Sequence, residues 1–184
     1  MSFPIANTLT FGRILLIPLV VLLFYLPYAW ASPAAATVFI LAAITDSLDG
    51  YLARRLGQIS ALGAFLDPVA DKLMVATALV LVVSHDSRWY VALAAAVIVG
   101  REITISALRE WMAELGARAQ VAVSRLGKLK TIFQMTGLSL LLFREDFLGL
   151  PIYDIGIVAT VAAAMLTLWS MVAYMRNAWP YLTR

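Results

Sequence analysis

The chain has no cysteine, only one histidine and few charged residues. The absence of cysteine excludes disulfides and thiolate metal sites. Of the 184 residues, 14% are charged and 62% are hydrophobic, whereas a soluble domain has about 25% charged and about 45–50% apolar residues. The mean hydropathy of +0.88 agrees with this difference. The composition therefore predicts an integral membrane protein rather than a soluble domain, and the length predicts a single domain over residues 1–184.

Long hydrophobic runs take the place of the missing charge. No charged residue occurs between Arg13 and Asp46, and the stretch from Pro27 to Pro33 divides this run into two helices. A spanning helix needs roughly 20 mostly apolar residues, and six spans are predicted, near residues 9–29, 34–54, 62–84, 89–112, 124–143 and 152–175. The first dozen residues are predicted to form a short interfacial helix. The predicted fold class is an all-α integral membrane protein, a six-transmembrane-helix bundle with a short N-terminal interfacial helix.

Basic residues are concentrated on one side of this predicted bundle. The outer loops hold only Arg88 and Arg144, and the other 12 of the 14 lysines and arginines fall on the opposite side. Cytoplasmic loops of membrane proteins carry an excess of lysine and arginine. Both termini are therefore predicted to be cytosolic.

A cleavable signal peptide is a competing interpretation of the N-terminus. Arg13 precedes an apolar run that ends in Ala29-Trp30-Ala31, a pattern typical of such peptides. The aromatic residues Tyr25, Tyr28 and Trp30 fit an interfacial belt of a retained helix equally well.

Four aspartates interrupt the apolar sequence within one segment, DSLDGYLARRLGQISALGAFLDPVAD at residues 46–71. Carboxylates inside a membrane are costly and are therefore candidates for function. The first pair opens a helical stripe at spacings i, i+3, i+4, i+7 and i+8, and the second pair continues a stripe at i, i+4 and i+8. The members of the two stripes are Asp46, Asp49, Gly50, Ala53 and Arg54, and then Gly63, Asp67 and Asp71. The short connection between the stripes predicts antiparallel neighbouring helices whose carboxylates converge.

Converging carboxylates are tolerable only with cations between them. These candidate ligands are hard oxygen donors, which suit magnesium, manganese or calcium rather than zinc. The single histidine, His85, lies on the opposite side of the predicted membrane and is interpreted as a loop residue. Four carboxylates are enough for two ions, the arrangement used in two-metal phosphoryl transfer. Gly50 and Gly63 allow either a ligand or a neighbouring helix to approach closely.

The same positions carry a resemblance to a known family. They match the signature D-x2-D-G-x2-A-R-x8-G-x3-D-x3-D of the CDP-alcohol phosphatidyltransferase family. The resemblance extends over essentially the whole chain and implies a multi-pass enzyme of the bacterial cytoplasmic membrane with an active site facing the cytosol. It also implies a reaction in which an alcohol hydroxyl attacks the β-phosphoryl group of a CDP-linked lipid and CMP leaves.

The resemblance further implies roles for individual residues. Two ions per site, magnesium or manganese, would be held by Asp46, Asp49, Asp67 and Asp71. Asp71 would also take the proton from the attacking hydroxyl. The residues implied to bind the CDP-lipid are Gly50, Ala53, Arg54, Ser60, Asn7 and Thr10. Arg54 suits a phosphate because a guanidinium can bind two of its oxygens at once.

Three further segments are similar to the branch of the family that transfers from CDP-diacylglycerol to sn-glycerol 3-phosphate. They are NTLTFGR at 7–13, GREITISALREWMAELG at 100–116 and GKLKT at 127–131. The acceptor is an anion, and its phosphate is expected to be bound by Arg101, Arg109, Lys128 and Lys130. The neighbouring acids Glu102, Glu110 and Glu114 could pair with these cations. The alternative is that the basic residues only follow the positive-inside rule and attract anionic headgroups, the interpretation preferred for Arg118 and Arg125.

Other functions stay open at this point. Within the family the acceptor could instead be phosphatidylglycerol, inositol phosphate or serine. A divalent-cation transporter also places acidic pairs on membrane helices, but here the acids lie near one surface of the predicted bundle. A prenyltransferase uses aspartate-rich helices without the glycine–alanine–arginine block. The expected partners are the two substrates and membrane lipids, not nucleic acid, and residues 152–175 are expected to face lipid or a second copy of the chain.

Overall fold

The computed structural model describes residues 5–56, 61–114 and 125–182. It describes their side chains apart from those of residues 5–9, 47–56, 61, 64, 125–128, 177, 178 and 180–182. The described chain forms six α-helices: α1 (Ile5–Tyr25), α2 (Ala31–Leu56), α3 (Ala61–His85), α4 (Trp89–Glu114), α5 (Arg125–Phe143) and α6 (Ile152–Leu182). Among the described residues extended pairing is limited to an isolated β-bridge between Phe147 and Leu150. The all-α prediction is therefore confirmed.

Prolines separate α1 from α2, as the sequence indicates. α1 ends at Tyr25, and Pro33 lies in the first turn of α2, where its missing N–H breaks no helical hydrogen bond. The prediction of a separate N-terminal interfacial helix is wrong. Residues 5–12 are instead the first turns of α1, because no proline interrupts them and because Thr10 and Arg13 are bound by residues of the next two helices.

Two stretches of the described chain are long and apolar enough to cross a membrane, Trp89–Glu114 and Ile152–Arg176. Shorter apolar helices cover Thr10–Tyr25, Ala31–Asp46 and Leu129–Phe143. These three stretches cover the parts of α1, α2 and α5 whose side chains the structure describes, which begin at Thr10, end at Asp46 and begin at Leu129. The composition and these helices support association with a membrane, while the six spans and the cytosolic termini stay predictions.

The chain divides into two compact units, of which the first contains Met1–His85 and Leu138–Gly156. In this unit α1 packs against both α2 and α3. Ala35, Phe39 and Ala42 of α2 are completely buried. Their i, i+4, i+7 spacing is one helical stripe, and the two alanines allow a neighbouring backbone to approach closely.

Arg144 closes the end of α5 in the same unit. Its backbone is left-handed, with a φ of 63°, and its N–H donates to the carbonyl of Leu140 at 3.3 Å, which caps the helix. Its guanidinium carbon lies 3.5 Å from the centroid of the Phe24 ring, and Nη2 donates to the carbonyl of Phe24 at 3.2 Å. Burial lowers the pKa of Arg144 from its usual range. The side chain thus connects the end of α5 to the end of α1.

The second unit contains Asp86–Gly137 and Ile157–Arg184. Its apolar core is formed by one stripe of α4, with a tyrosine of α6 packed against it: Ile105, Leu108, Met112 and Tyr174. Three partly buried side chains cover this core: Trp111, Met171 and Met175.

Asp86 accepts hydrogen bonds from Arg88, the residue that directly precedes α4. Its Oδ1 accepts the backbone N–H of Arg88 at 3.0 Å, and its Oδ2 accepts from Nη2 of the same residue at 2.7 Å. A carboxylate at this place also interacts favourably with the positive end of the helix dipole. These hydrogen bonds raise the pKa of Arg88 above its usual range.

Gly156, near the start of α6, packs so closely against α5 that a Cβ atom would be crowded. A Cβ atom there would lie 3.0 Å from the Cβ of Leu140 and 3.0 Å from the backbone nitrogen of Leu141. We expect Gly156→Ala to destabilise the protein by about 1–3 kcal/mol, the usual cost of overpacking. The Tm measured in detergent should therefore fall by several degrees.

Gly100→Ala is the matched control for this variant. A Cβ atom at residue 100 has no described neighbour within 4 Å outside its own helix, and alanine favours a helix over glycine by about 1 kcal/mol. The Tm of this control should be unchanged or higher. Equal losses in the two variants would contradict the close packing at Gly156.

Candidate active site

Helix α1 contacts two of the four predicted metal-ligand aspartates. The hydroxyl Oγ1 of Thr10 donates to Oδ1 of Asp67, on α3, at 2.5 Å. One turn further along α1, Nη1 of Arg13 donates to Oδ1 of Asp46, on α2. The two carboxylates therefore come from different helices and are both bound by one turn of a third helix, so the predicted proximity of the two helices holds at these residues.

The Arg13–Asp46 pair is buried on the side of the arginine. Arg13 is only 2% exposed, whereas the side chain of Asp46 is 37% exposed. A buried guanidinium requires a negative partner, because removing one member of such a pair leaves an uncompensated charge in a medium of low dielectric. Asp46 thus has two sides, one that neutralises Arg13 and one that remains accessible to a ligand.

The second aspartate stripe follows from the continuity of α3. Gly63, Asp67 and Asp71 are spaced by four residues within this helix and therefore lie along one face of it. Gly63 is buried, Asp67 is half-buried and Asp71 is exposed. The exposure increases along the stripe, so that Asp71 is the member most accessible to a water-soluble reactant.

Several predicted site residues lie outside what the structure describes. Ser60 belongs to the residues that are not described, and the side chains of five others are not described either: Asn7, Asp49, Gly50, Ala53 and Arg54. The side chain of Lys128 is not described either. The roles assigned to these residues stay predictions.

The donor atoms of the site suit a hard divalent cation. Asp46, Asp67 and Asp71 offer carboxylate oxygens, the ligands that magnesium and manganese prefer. Among the described side chains, no group of three acidic, histidine or cysteine residues is close enough to hold an ion. Asp49, the fourth predicted ligand, is outside that set. A two-ion site therefore fits the chemistry of the residues and stays a prediction in its geometry.

The second unit contains the α4–α5 basic cluster, which we define as Arg101, Arg109 and Lys130. Arg101 and Lys130 are only 7% and 4% exposed. Both donate to the same atom, Oε1 of Glu102, with Nη1 of Arg101 at 3.2 Å. One carboxylate thus accepts hydrogen bonds from two buried cations.

Two polar atoms beside these cations have no described hydrogen-bond partner. They are Nε of Arg101 and Oε1 of Gln134, which lies one turn after Lys130 on α5 and is 4% exposed. Buried polar groups in folded proteins nearly always have a partner. A donor and an acceptor are therefore available for a ligand or a bound water.

Tyr174 of α6 contacts both arginines of the α4–α5 basic cluster. The guanidinium carbons of Arg101 and Arg109 lie 5.6 Å and 5.7 Å from the centroid of the tyrosine ring. Nη2 of Arg109 also donates to the phenol oxygen at 3.4 Å. Both distances are within the range of a cation–π interaction.

Sequence reasoning found some of these residues and missed others. The pairing of Glu102 with neighbouring cations is confirmed. Arg13 was interpreted only as part of the basic side of the bundle, although its spacing of three from Thr10 puts both on one side of α1.

Tyr174 was missed because α6 was expected to face lipid or a second copy. That expectation is wrong for this face of the helix, since Thr160, Thr167, Ser170 and Tyr174 are all buried. Three of these polar residues recur every seven positions in an otherwise apolar helix. This period is typical of a packed helix face and could have indicated the contact with α4.

Comparison with known proteins identifies the family. The family model described as CDP-alcohol phosphatidyltransferase matches residues 3–173. A protein of Salmonella choleraesuis (strain SC-B67) named CDP-diacylglycerol--glycerol-3-phosphate 3-phosphatidyltransferase is 53% identical over 178 residues, which are 97% of this chain and 96% of the relative. A protein of the same name from Sodalis glossinidius (strain morsitans) is 54% identical over 175 residues, 95% of this chain and 94% of the relative. Since both the family model and these relatives cover nearly its whole length, this chain belongs to the CDP-alcohol phosphatidyltransferase family.

Proposed function

We propose that this protein transfers the phosphatidyl group of CDP-diacylglycerol to sn-glycerol 3-phosphate, giving phosphatidylglycerophosphate and CMP. It is then a phosphatidylglycerophosphate synthase, which acts in the first step of phosphatidylglycerol and cardiolipin synthesis. The observation that carries the proposal is identity of 53% over 97% of the chain with a relative that bears the name of this activity. The three cations of the α4–α5 basic cluster, two of them buried, support a phosphorylated acceptor.

The aspartates of α2 and α3 bind divalent cations in this proposal. Members of the family generally depend on such ions, and the proposed ligands are Asp46, Asp49, Asp67 and Asp71. When bound, two magnesium or manganese ions neutralise the diphosphate of the donor and stabilise the charge that develops on the departing CMP. Thr10 and Arg13 keep two of these carboxylates oriented. Two residues of α1 thus hold ligand residues of α2 and α3 in position.

Asp71 acts as the general base. It accepts the proton of the acceptor hydroxyl while the oxygen of that hydroxyl bonds to the β-phosphorus of the donor and the bond to CMP breaks. The exposure of Asp71 supports this role, because a water-soluble acceptor must reach the base.

The nucleotide of the donor is bound by residues of α1 and α2 and of the connection that follows. The proposed contacts are Asn7, Thr10, Gly50, Ala53, Arg54 and Ser60. Arg54 would bind two phosphate oxygens through its planar guanidinium, and Gly50 would let the nucleotide approach the backbone. The hydroxyl of Thr10 is engaged with Asp67, which supports a place for Thr10 at the edge of the same site.

The acceptor phosphate is bound by Arg101, Arg109, Lys128 and Lys130. A phosphate would accept charge-assisted hydrogen bonds from this basic cluster in addition to those that Glu102 accepts from Arg101 and Lys130. Its oxygens are also suitable acceptors for Nε of Arg101, which has no partner among the described residues. An uncharged alcohol would offer neither, which is why we prefer glycerol 3-phosphate to acceptors without a phosphate.

The protein acts in the bacterial cytoplasmic membrane, which it crosses several times, with its active site on the cytosolic side. The apolar stretches of α4 and α6 support membrane insertion, and the basic residues assigned to the cytosolic side support this orientation. Both substrates then meet at the membrane surface, the lipid from the bilayer and glycerol 3-phosphate from the cytosol.

Removal of divalent cations should abolish activity. The proposed ligands are carboxylates only, so an excess of EDTA should stop the release of CMP, and magnesium or manganese should restore it. The measurement is CMP release by the purified protein in detergent, with CDP-diacylglycerol and glycerol 3-phosphate present. Full turnover in excess EDTA would show that the aspartates do not act through bound metal.

Asp71→Asn should lower kcat by at least about a hundredfold, because general base catalysis typically contributes 10²–10⁴-fold. This position is a better test than Asp46, whose replacement would also leave the buried Arg13 without its charged partner. Asp154→Asn is the matched control, since Asp154 lies in the first turn of α6 and has no proposed role. If Asp71→Asn retains more than about a tenth of the wild-type rate, the assignment of the base is wrong.

Arg101→Gln should impair the use of the acceptor selectively. A hydrogen bond to a charged group contributes roughly 1.5–3 kcal/mol, so kcat/KM for glycerol 3-phosphate should fall about ten- to hundredfold. The KM for CDP-diacylglycerol should stay close to the wild-type value. Arg101→Lys should recover only part of the loss, because lysine keeps the charge but not the planar fork.

Arg88→Gln is the control for this measurement. It removes a cation at the beginning of α4 whose described partner is Asp86, and it should leave both KM values unchanged. Equal losses for both substrates in Arg101→Gln would indicate structural damage, and an unchanged acceptor KM would remove Arg101 from the acceptor site.

A further inference from the structure

Tyr174 combines three features that are not explained by packing alone. It is only 5% exposed, it belongs to the apolar core of the second unit, and two arginines contact its ring. The phenol oxygen accepts from one of them, Arg109, at 3.4 Å. An aliphatic side chain such as leucine would serve for apolar packing alone, whereas this ring also contacts two cations.

The position of Tyr174 relative to α4 explains how it reaches both arginines. Arg101, Ile105 and Arg109 are spaced by four residues and form one stripe of this helix. Ile105, in the middle of the stripe, is 2% exposed and packs in the same core as Tyr174. The tyrosine is thus fixed by apolar contacts at the centre of the stripe, with one arginine a turn before Ile105 and the other a turn after it.

An aromatic ring and a carboxylate hold an arginine in different ways. Glu102 accepts hydrogen bonds from Arg101 and Lys130 and cancels part of their charge. The negative face of a ring attracts a guanidinium but leaves its charge intact and its N–H groups available to another acceptor. Nε of Arg101 has no hydrogen-bond partner among the described residues, and this observation agrees with such an arrangement.

We infer that Tyr174 is a positioning residue, which holds Arg101 and Arg109 in the orientation that binds the phosphate of the acceptor. This inference rests on the function proposed above. Arginine has many rotamers, and ordering two of them on binding would reduce the affinity for the acceptor. Tyr174 orders them beforehand without using their charge, so the acceptor meets a prepared anion site.

The test replaces the ring and measures the two substrates separately. Tyr174→Met, which conserves much of the volume but removes the ring, should raise the KM for glycerol 3-phosphate about three- to thirtyfold, the range expected for loss of a cation–π contact. The KM for CDP-diacylglycerol should stay within about twofold of the wild-type value, as befits a residue that acts only through the acceptor arginines. Tyr174→Phe keeps the ring and should remain within about threefold of the wild-type KM for the acceptor. An unchanged acceptor KM in Tyr174→Met, or an equal rise for both substrates, would overturn the inference.

A second substitution covers the case in which Tyr174→Met does not fold. Replacement of Tyr174 by phenylalanines with an increasing number of ring fluorines keeps the shape of the side chain and progressively weakens the negative face of the ring. The acceptor KM should rise with each added fluorine. A KM that does not depend on fluorination would overturn the inference, because it would leave the ring with a packing role only.

Two comparisons separate this inference from the proposed function. If Arg101→Gln leaves the acceptor KM unchanged, the acceptor site itself is wrong; if Arg101→Gln raises it and Tyr174→Met does not, only the role of Tyr174 is wrong. In the double variant that combines Arg101→Gln with Tyr174→Met, the effects on the acceptor KM should be less than additive, because Tyr174 acts through Arg101. Met171→Ala is the packing control, since Met171 covers the same core and carries no proposed role; its Tm should fall while its acceptor KM stays the same.

Discussion

A guanidinium buried in an apolar helical bundle must have a negative partner, because its charge is costly in a medium of low dielectric. Arg13 of α1 meets this requirement through Asp46 of α2, and one turn away Thr10 binds Asp67 of α3. The position of α1 against its two neighbours is therefore fixed by the same carboxylates that we assign to the metal site. Stability and function share these residues, so that a change at Asp46 affects both at once.

The buried cations of the second unit have different kinds of partners from Arg13 in the first unit. Arg101 and Lys130 are buried with one carboxylate between them, and Arg101 and Arg109 share an aromatic ring. In the first unit one carboxylate pairs with one arginine, whereas here one carboxylate accepts from two cations and one aromatic ring contacts two arginines. Such an arrangement is suited to an anionic ligand, because an aromatic ring attracts a guanidinium without cancelling its charge.

The sequence alone was sufficient for the features that depend on local spacing. The break between α1 and α2 follows from the stretch Pro27 to Pro33, although α1 ends and α2 begins a few residues earlier than predicted, and the stripe of Gly63, Asp67 and Asp71 follows from the helical period. The partners of Arg13 and Tyr174 could not be predicted in this way. Arg13 binds a residue 33 positions further along the chain, and Tyr174 binds residues 65 or more positions before it. The partner of each residue depends on how the helices pack against one another. The spacing of residues within one helix does not determine that packing.

For the six-span arrangement that the sequence predicts, the separation of Arg13 and Asp46 also has a consequence for entry into the bilayer during synthesis. The two residues are 33 positions apart, so their ion pair can form only after both α1 and most of α2 have left the ribosome. Until then the arginine end of α1 is best accommodated at the polar surface of the membrane, where long basic side chains reach water. In the six-span arrangement that the sequence predicts, the first two helices would therefore reach their final depth together, as a hairpin whose charges cancel, rather than one after the other.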